Sequence, residues 1–322
     1  MASMKELFEY AVEQGIQEDP RPAKDIKKKL EKLKEDFQAL KGNDKEFFDQ
    51  ERLENPYDDT RILYGEDTKK VQTVMIGIDI EVPELLLADR LREKGQKIDA
   101  VIAHHPEGKA LAALHGVMDM QIHTLNEDGV PISQAEAVVR PRLDDVRKGL
   151  HAFNHSRVPT ACKLLNVPFM NFHTIADNHV HQFLKKLMQE KKPETLQDIL
   201  NILNEMPEYR WAQEHKMGPT LFNGIPINKV GKITYDMTGG TELDKSRVKK
   251  LAQAGISTII AMHLSKDQVE ECKTENINVV VAGHMSSDSL GMNLLLDKVE
   301  KKFGKLNIIE FAGFKRVNRK GK

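Results

Sequence analysis

The chain has 322 residues, of which 40% are hydrophobic and 30% charged, and its formal net charge is -1. That length suggests about two domains with substantial cores, and the balanced charge gives no electrostatic case for nucleic acid or a membrane surface as partner. Two isolated cysteines, Cys162 and Cys272, make neither a disulfide framework nor a thiolate metal site, so a reducing compartment is expected.

The opening residues, MASMKELFEYAVEQG, read as an amphipathic helix rather than a signal peptide, because Lys5, Glu6 and Glu9 interrupt any apolar core. No apolar run is long enough to span a bilayer, and a cytoplasmic protein is expected. A helix is predicted over residues 4–15, a break at Pro20 and Pro22, and a second helix over 25–41. There Ile26, Leu30, Leu33, Phe37 and Leu40 form a heptad-like stripe, with Gly42 at the expected cap. The stripe packs the helix on its own domain or forms a short dimer coiled coil; only two heptads favour the first. Residues 43–62 read as a loop, or a short helix and a turn, completing an N-terminal helical extension over 1–62.

An α/β alternation follows. A first lobe over 63–190 is predicted to hold strands at 71–80, 98–103 and 169–172. Its helices are placed at 81–94, 110–128, 133–150, 159–166 and 178–189, the third interrupted near Pro141. Residues 191–228 read as a connector with two short helices, punctuated by Pro193, Pro207, Pro219 and Pro226. A second lobe over 229–314 is predicted as strand 230–235, turn Thr238-Gly239-Gly240, helix 242–254, strand 256–261, helix 265–274, strand 276–282, helix 287–302 and strand 305–311. The basic tail, 315–322, is expected to fray. Short strands alternating with helices predict an α/β fold of two similar lobes, with mainly parallel sheets flanked by helices. Residues 97–104 and 276–284 share a polar-Ile-polar start and a terminal histidine, which suggests an internal duplication.

Chemistry gathers at the strand ends, where open α/β sheets bind ligands. One apolar run ends in His104-His105-Pro106, a second in His173 and then Asp177, a third in Met262-His263, and a fourth in His284 and then Asp288. Imidazoles and carboxylates gathered this way suit a metal site. Simpler readings exist for each residue: Asp177 as a helix N-cap, a helix at 287 capped by Ser286 or Ser287, and one of His104 and His105 as a structural hydrogen-bonding residue. Three histidines and two aspartates at equivalent strand ends favour a shared site. His263 reads as an additional site residue or a satisfied polar residue. His123, His151, His155, His179, His181 and His215 fall outside this set, with surface or hydrogen-bonding roles expected. Walker, dinucleotide and Gly-x-Ser-x-Gly patterns are absent.

The order His-His-Pro, His-Thr-x-x-Asp and Gly-His-x-x-Ser-x, with the Gly239-Gly240 turn, resembles the Ngg-interacting-factor-three-like family over residues 70–190 and 229–312. Members of that family are catalogued as GTP cyclohydrolase type two. The resemblance implies metal ligands at His104, His105, Asp177, His284 and the acidic position Asp288, with two lobes enclosing two divalent ions. Zinc, iron, manganese and nickel all suit such a mixed nitrogen and oxygen set. It implies a homo-oligomer, often a hexamer. It makes the expected function a dinuclear metal-dependent hydrolase of a small-molecule C–N or phosphoester bond, with His173 as a proton shuttle or a residue behind the ligands. A non-enzymatic metal-binding scaffold or metal-delivery protein uses the same ligands. This chain departs from the family's pattern where Asp288 stands for a glutamate and Ala261-Met262-His263 for Thr-Gly-Asp. The N-terminal helices have no clear counterpart in it.

Overall fold

The computed structural model describes residues 1–319. Helix α1 (Met4–Gln17) opens on a capping box: the Glu6 N–H donates to the Ser3 hydroxyl and the Ser3 N–H to the Glu6 carboxylate. Met4, Leu7, Phe8 and Ala11 bury its inner face in the main core, so α1 is a core element. Helix α2 (Ala23–Ala39) buries Ile26, and the rest of its stripe is half-buried. It lies against α1 and a 3-10 turn at Gln50–Leu53, with the Phe37 and Phe48 rings 4.8 Å apart. Gly42 does not cap α2, whose C-cap is Leu40; it opens a short helix, α3 (Gly42–Glu46).

The first sheet has the order β1 (Arg61–Tyr64), β4 (Phe169–Asn171), β3 (Ala100–Ala103), β2 (Thr73–Gly77), β9 (Asn307–Glu310). All its pairs are parallel except β1 with β4. Its helices are α4 (Val82–Glu93), α5 (Gly108–Ala112), α6 (Met120–Glu127), α7 (Ile132–His151), α8 (Arg157–Leu165) and α9 (Thr174–Lys191). After α10 (Leu196–Asn204) and α11 (Pro207–Glu214), the second sheet has the order β5 (Thr220–Asn223), β8 (Asn278–Val281), β7 (Ile256–Ala261), β6 (Lys232–Asp236). Again only the edge strand, β5, is antiparallel. Helices α12 (Ser246–Gln253), α13 (Lys266–Thr274) and α14 (His284–Phe303) complete the helices of the described residues.

The order β1-β4-β3-β2 repeats as β5-β8-β7-β6. The duplication is therefore real at the level of topology, but it pairs β4 with β8 and β3 with β7. The likeness between 97–104 and 276–284 compares β3 with β8, which are not counterparts. Both buried parallel strands carry the same apolar run, so composition alone does not separate them.

Several expectations meet a different structure. Strands β1 and β5 lie in stretches read as loop and connector, because a half-exposed edge strand of four residues has little apolar pattern to read. The strand expected at the end of the 229–314 lobe forms as β9 but pairs with β2, returning the chain to the first sheet. Helix α7 continues through Pro141, which sits on its exposed face, while Val138, Val139 and Leu150 anchor the helix on either side. The 110–128 stretch divides into α5, a 3-10 turn at Leu114–Val117, and α6.

The tail is docked through Arg319 rather than frayed. Arg316 pairs with Asp297 and Glu300, and Arg319 with Glu208 at 2.6 Å. The remaining tail positions, 320–322, lie outside the described residues.

Helices α9 and α14 run between the sheets. Ile175 and Ala176 of α9 join the core of the first sheet, whereas Val180, Leu184 and Met188 join that of the second. Met292 and Leu290 divide α14 in the same way. Among the described residues, no helix is long and apolar enough to cross a membrane.

Candidate metal centre

Strand β3 ends at Ala103, and the backbone turns as the His104 N–H donates to the Gly77 carbonyl at 2.9 Å and the His105 N–H to the Ile78 carbonyl at 3.0 Å. On a continuing strand the two rings would face opposite ways. Here they converge, with centroids 5.2 Å apart. Strand β4 leads to His173, the N-cap of α9, and Asp177 follows one turn later. Strand β8 leads to Gly283, whose φ of 111° is a left-handed conformation that costs glycine little. That sharp turn starts α14 at His284, three residues earlier than expected, and places Asp288 one turn along.

Neither aspartate acts as a cap. Oδ1 of Asp177 and both carboxylate oxygens of Asp288 are buried without a hydrogen-bond partner. The Ser286 and Ser287 hydroxyls donate back to the Gly283 carbonyl at 3.2 and 2.6 Å.

The imidazole edges face these oxygens. His104 Nε2 lies 3.4 Å from Asp177 Oδ1 and 3.6 Å from Asp288 Oδ1. His105 Nε2 and His284 Nε2 lie 3.4 and 3.5 Å from Asp288 Oδ2. Three overlapping groups have donor atoms within 4.8 Å of one another: His105, His284 and Asp288; His104, Asp177 and Asp288; and His104, His105 and His173. Asp288 belongs to two of them, one oxygen toward each, as a bridging carboxylate would.

Other groups orient the rings. The Nδ1 of His104 donates to the Phe172 carbonyl at 2.9 Å, that of His105 to Asp79 at 2.6 Å, and that of His173 to Asp59 at 2.7 Å. A fixed Nδ1–H leaves Nε2 as the free donor. Asp59 and Asp79 are the functional residues that sequence reasoning missed. Asp79 had a signal, since it is a carboxylate inside the apolar run Ile78-Asp79-Ile80 at a strand end. Asp59 had none beyond its polar turn.

Burial works to raise the pKa of Asp288, but His104, His105 and His284 hold it well below the usual carboxylate range. Burial works to lower that of His105, yet Asp288 and Asp79 push it up to about 10. His173 is raised against its burial by Asp177 and Asp59. His284 is lowered, chiefly by burial, with repulsion from His263, His105 and His104 adding to it. Metal-free, Asp288 and Asp79 favour a proton on His105. The unbonded oxygens beside anchored imidazoles fit a divalent cation, which prefers this mixed donor set.

A cavity of about 50 Å³ opens on the cluster. His104, His173, Asp177, His284 and Asp288 line one side; Asp236, Thr238, Gly240, Glu242 and His263 line the other. His263 is half exposed, 3.7 Å from Glu242, with its ring 4.5 Å from that of His284. It belongs to the cavity wall and to none of the three donor groups. His179 and His181 are buried; His179 takes the hydrogen-bonding role, its Nδ1 donating to the Ile175 carbonyl at 2.7 Å, and burial lowers both to about 4.

No protein-family model matches the sequence, and no curated protein does. Solved structures do. A NIF3 superfamily protein from Sphaerobacter thermophilus is similar with a TM-score of 0.71 and 26% identity, covering 80% of this chain and 92% of that one. Reduced HcgD from Methanocaldococcus jannaschii is similar in fold, with a TM-score of 0.50 and 15% identity over 87% of this chain and 96% of that one. With the shared α/β architecture and the order of histidine and aspartate motifs, this likeness supports the resemblance to the Ngg-interacting-factor-three-like (NIF3) family.

Proposed function

We propose that the protein is a metal-dependent hydrolase that holds two divalent cations and acts on a C–N or phosphoester bond of a small molecule. One observation carries the metal reading: the fully buried carboxylate of Asp288, with neither oxygen hydrogen-bonded, faces three imidazole nitrogens. A buried charge left this way is costly unless a cation completes it. His105, His284 and Asp288 would hold one ion, and His104, Asp177 and Asp288 the other. Divalent ions supply Lewis acidity at such a site, lowering the pKa of a water and stabilising a developing oxyanion. Asp79 holds the His105 ring toward the centre. His263 and Glu242 line the same cavity and would contact a substrate bound there. The family's catalogue name would make the bond a purine ring amidine.

The size of the cavity favours a second reading. Its enclosed part, about 50 Å³, holds a few waters. That suits a metal-binding scaffold or metal-delivery protein with the same ligands, or a hydrolase of small substrates.

Metal content per chain tests the shared premise. It is measured by plasma mass spectrometry on untagged protein purified without chelators, with His104→Ala and His284→Ala alongside. Bound metal that falls in both variants supports the centre. Turnover of any ester or cyclic amidine in a substrate panel then separates the hydrolase from the scaffold. Protein that takes up no metal under any loading condition excludes both.

A further inference from the structure

We propose that His173 is itself a ligand of the metal centre, and that Asp59, from the segment ahead of β1, is the positioning residue that makes it one. This rests on the metal-binding reading above and extends its donor set.

His104 and His105 each spend Nδ1 on a fixed acceptor and turn Nε2 to the cluster. His173 does the same, with Asp59 as its acceptor. Ligating histidines characteristically donate their second ring nitrogen to a carboxylate or a carbonyl. The donor atoms of His104, His105 and His173 lie within 4.8 Å of one another. His173 Nε2 is 3.9 Å from Asp177 Oδ2, and its ring centroid is 5.0 Å from that of His104. His173 also lines the cavity. The geometry is that of a donor, not of a buried residue packed away from the site.

Topology gives an independent argument. The β4–α9 turn is the counterpart of the β8–α14 turn, and each presents His-x-x-x-Asp, the second pair starting one residue later relative to its helix. His284 and Asp288 both point at the cluster, and His173 and Asp177 repeat that pair from the opposite half.

Asp59 is built for this task. It is fully buried, and the same Oδ2 that accepts from His173 accepts from the Thr174 hydroxyl at 2.6 Å. Its backbone carbonyl accepts from the Asn171 amide, and the neighbouring Thr60 hydroxyl accepts the His173 N–H at 3.2 Å. Buried Arg61 pins the loop from behind, donating to the carbonyls of Tyr57 and Thr60 and to Asp58. The buried carboxylate fixes the tautomer of His173 and aims Nε2 at Asp177. The N-terminal region thereby contributes to the centre without supplying a ligand.

The test uses the full chain, stripped of metal and titrated with cobalt(II), whose visible absorption reports the ligand set. Wild type, His173→Gln and Asp59→Asn are compared, with circular dichroism and thermal melting to establish that each is folded. His173→Gln is expected to weaken cobalt binding and to alter the absorption bands. Asp59→Asn, which keeps the shape and the Thr174 contact, is expected to weaken binding about 10- to 100-fold with all the ligands present. Folded variants that match wild type in both affinity and spectrum overturn the inference while leaving the metal reading intact. Wild type that binds no cobalt overturns both.

Discussion

Gly291 of α14 lies against the backbone carbonyl of Ala176 in α9, so closely that a Cβ at Gly291 would overlap that carbonyl. The two helices therefore pass backbone to backbone. One carries Asp177 and the other Asp288, and their separation sets the distance between the two carboxylates. Gly291→Ala is expected to force the helices apart, at a cost of about 1–3 kcal/mol. Urea denaturation of the metal-free protein measures that cost, and cobalt titration measures the accompanying loss of affinity. An alanine variant as stable as wild type would show that the crossing relaxes freely.

Asp288 is shared by two donor groups, whereas Asp177 and His284 each belong to one. Asp288→Asn is therefore expected to remove more bound metal than either Asp177→Asn or His284→Ala. Elemental analysis after identical loading and desalting gives the order. Equal losses in all three would mean that Asp288 is not a bridge.

In the metal-free protein, His105 is held at about 10 by Asp288 and Asp79, against an unperturbed value of 6.5. A raised folded pKa means that the protonated form contributes stability, present in full below about 6.5 and lost as pH rises through about 10. The melting temperature of chelator-treated protein should fall across that window, and His105→Gln should flatten the fall. Asp288 has the opposite sign: its contribution is present above the ordinary carboxylate range and lost in acid. A flat profile in the alkaline window would contradict the assigned proton on His105.

Within the tail, half-buried Arg319 reaches a buried carboxylate. Glu208 is fully buried and accepts from Arg319 at 2.6 Å and from the Asn293 amide at 2.8 Å. Asn293 lies on α14, so the pair ties α11 and the tail to the helix that carries His284 and Asp288. Arg319→Ala is expected to cost about 1.5–3 kcal/mol, the range for a hydrogen bond to a charged group. Glu208→Gln, which removes the charge with its partner still present, should cost less. The denaturation midpoints of the two variants decide it, and a harmless Arg319→Ala would mean that water replaces the guanidinium.

Much of the architecture was legible from local pattern. The strands ending at Ala103, Asn171, Ala261 and Val281 are continuous apolar runs closed by polar or glycine residues, which is how buried parallel strands read. The edge strands β1 and β5 are short and half-exposed, so nothing periodic marks them. The same limit applied at the centre. His104, His105, Asp177, His284 and Asp288 stood out because each lies at the end of such a strand or within the first turns beyond it, and the structure brings them together. Asp59 sits in a polar turn that resembles any other.

By itself the sequence determined the local chemistry: which residues begin helices, which runs are buried strands, and which side chains with metal-binding atoms stand at their ends. These follow from propensity and periodicity within a few neighbouring residues. Only the tertiary structure decided that β9 closes the first sheet, that β4 rather than β3 is the counterpart of β8, and that the tail docks on α14. It also decided which acids stand behind His105 and His173. Those outcomes depend on hydrogen bonds and ion pairs between residues far apart in the chain. Their free energy is realised only when burial has removed the competing water, and no local pattern encodes it.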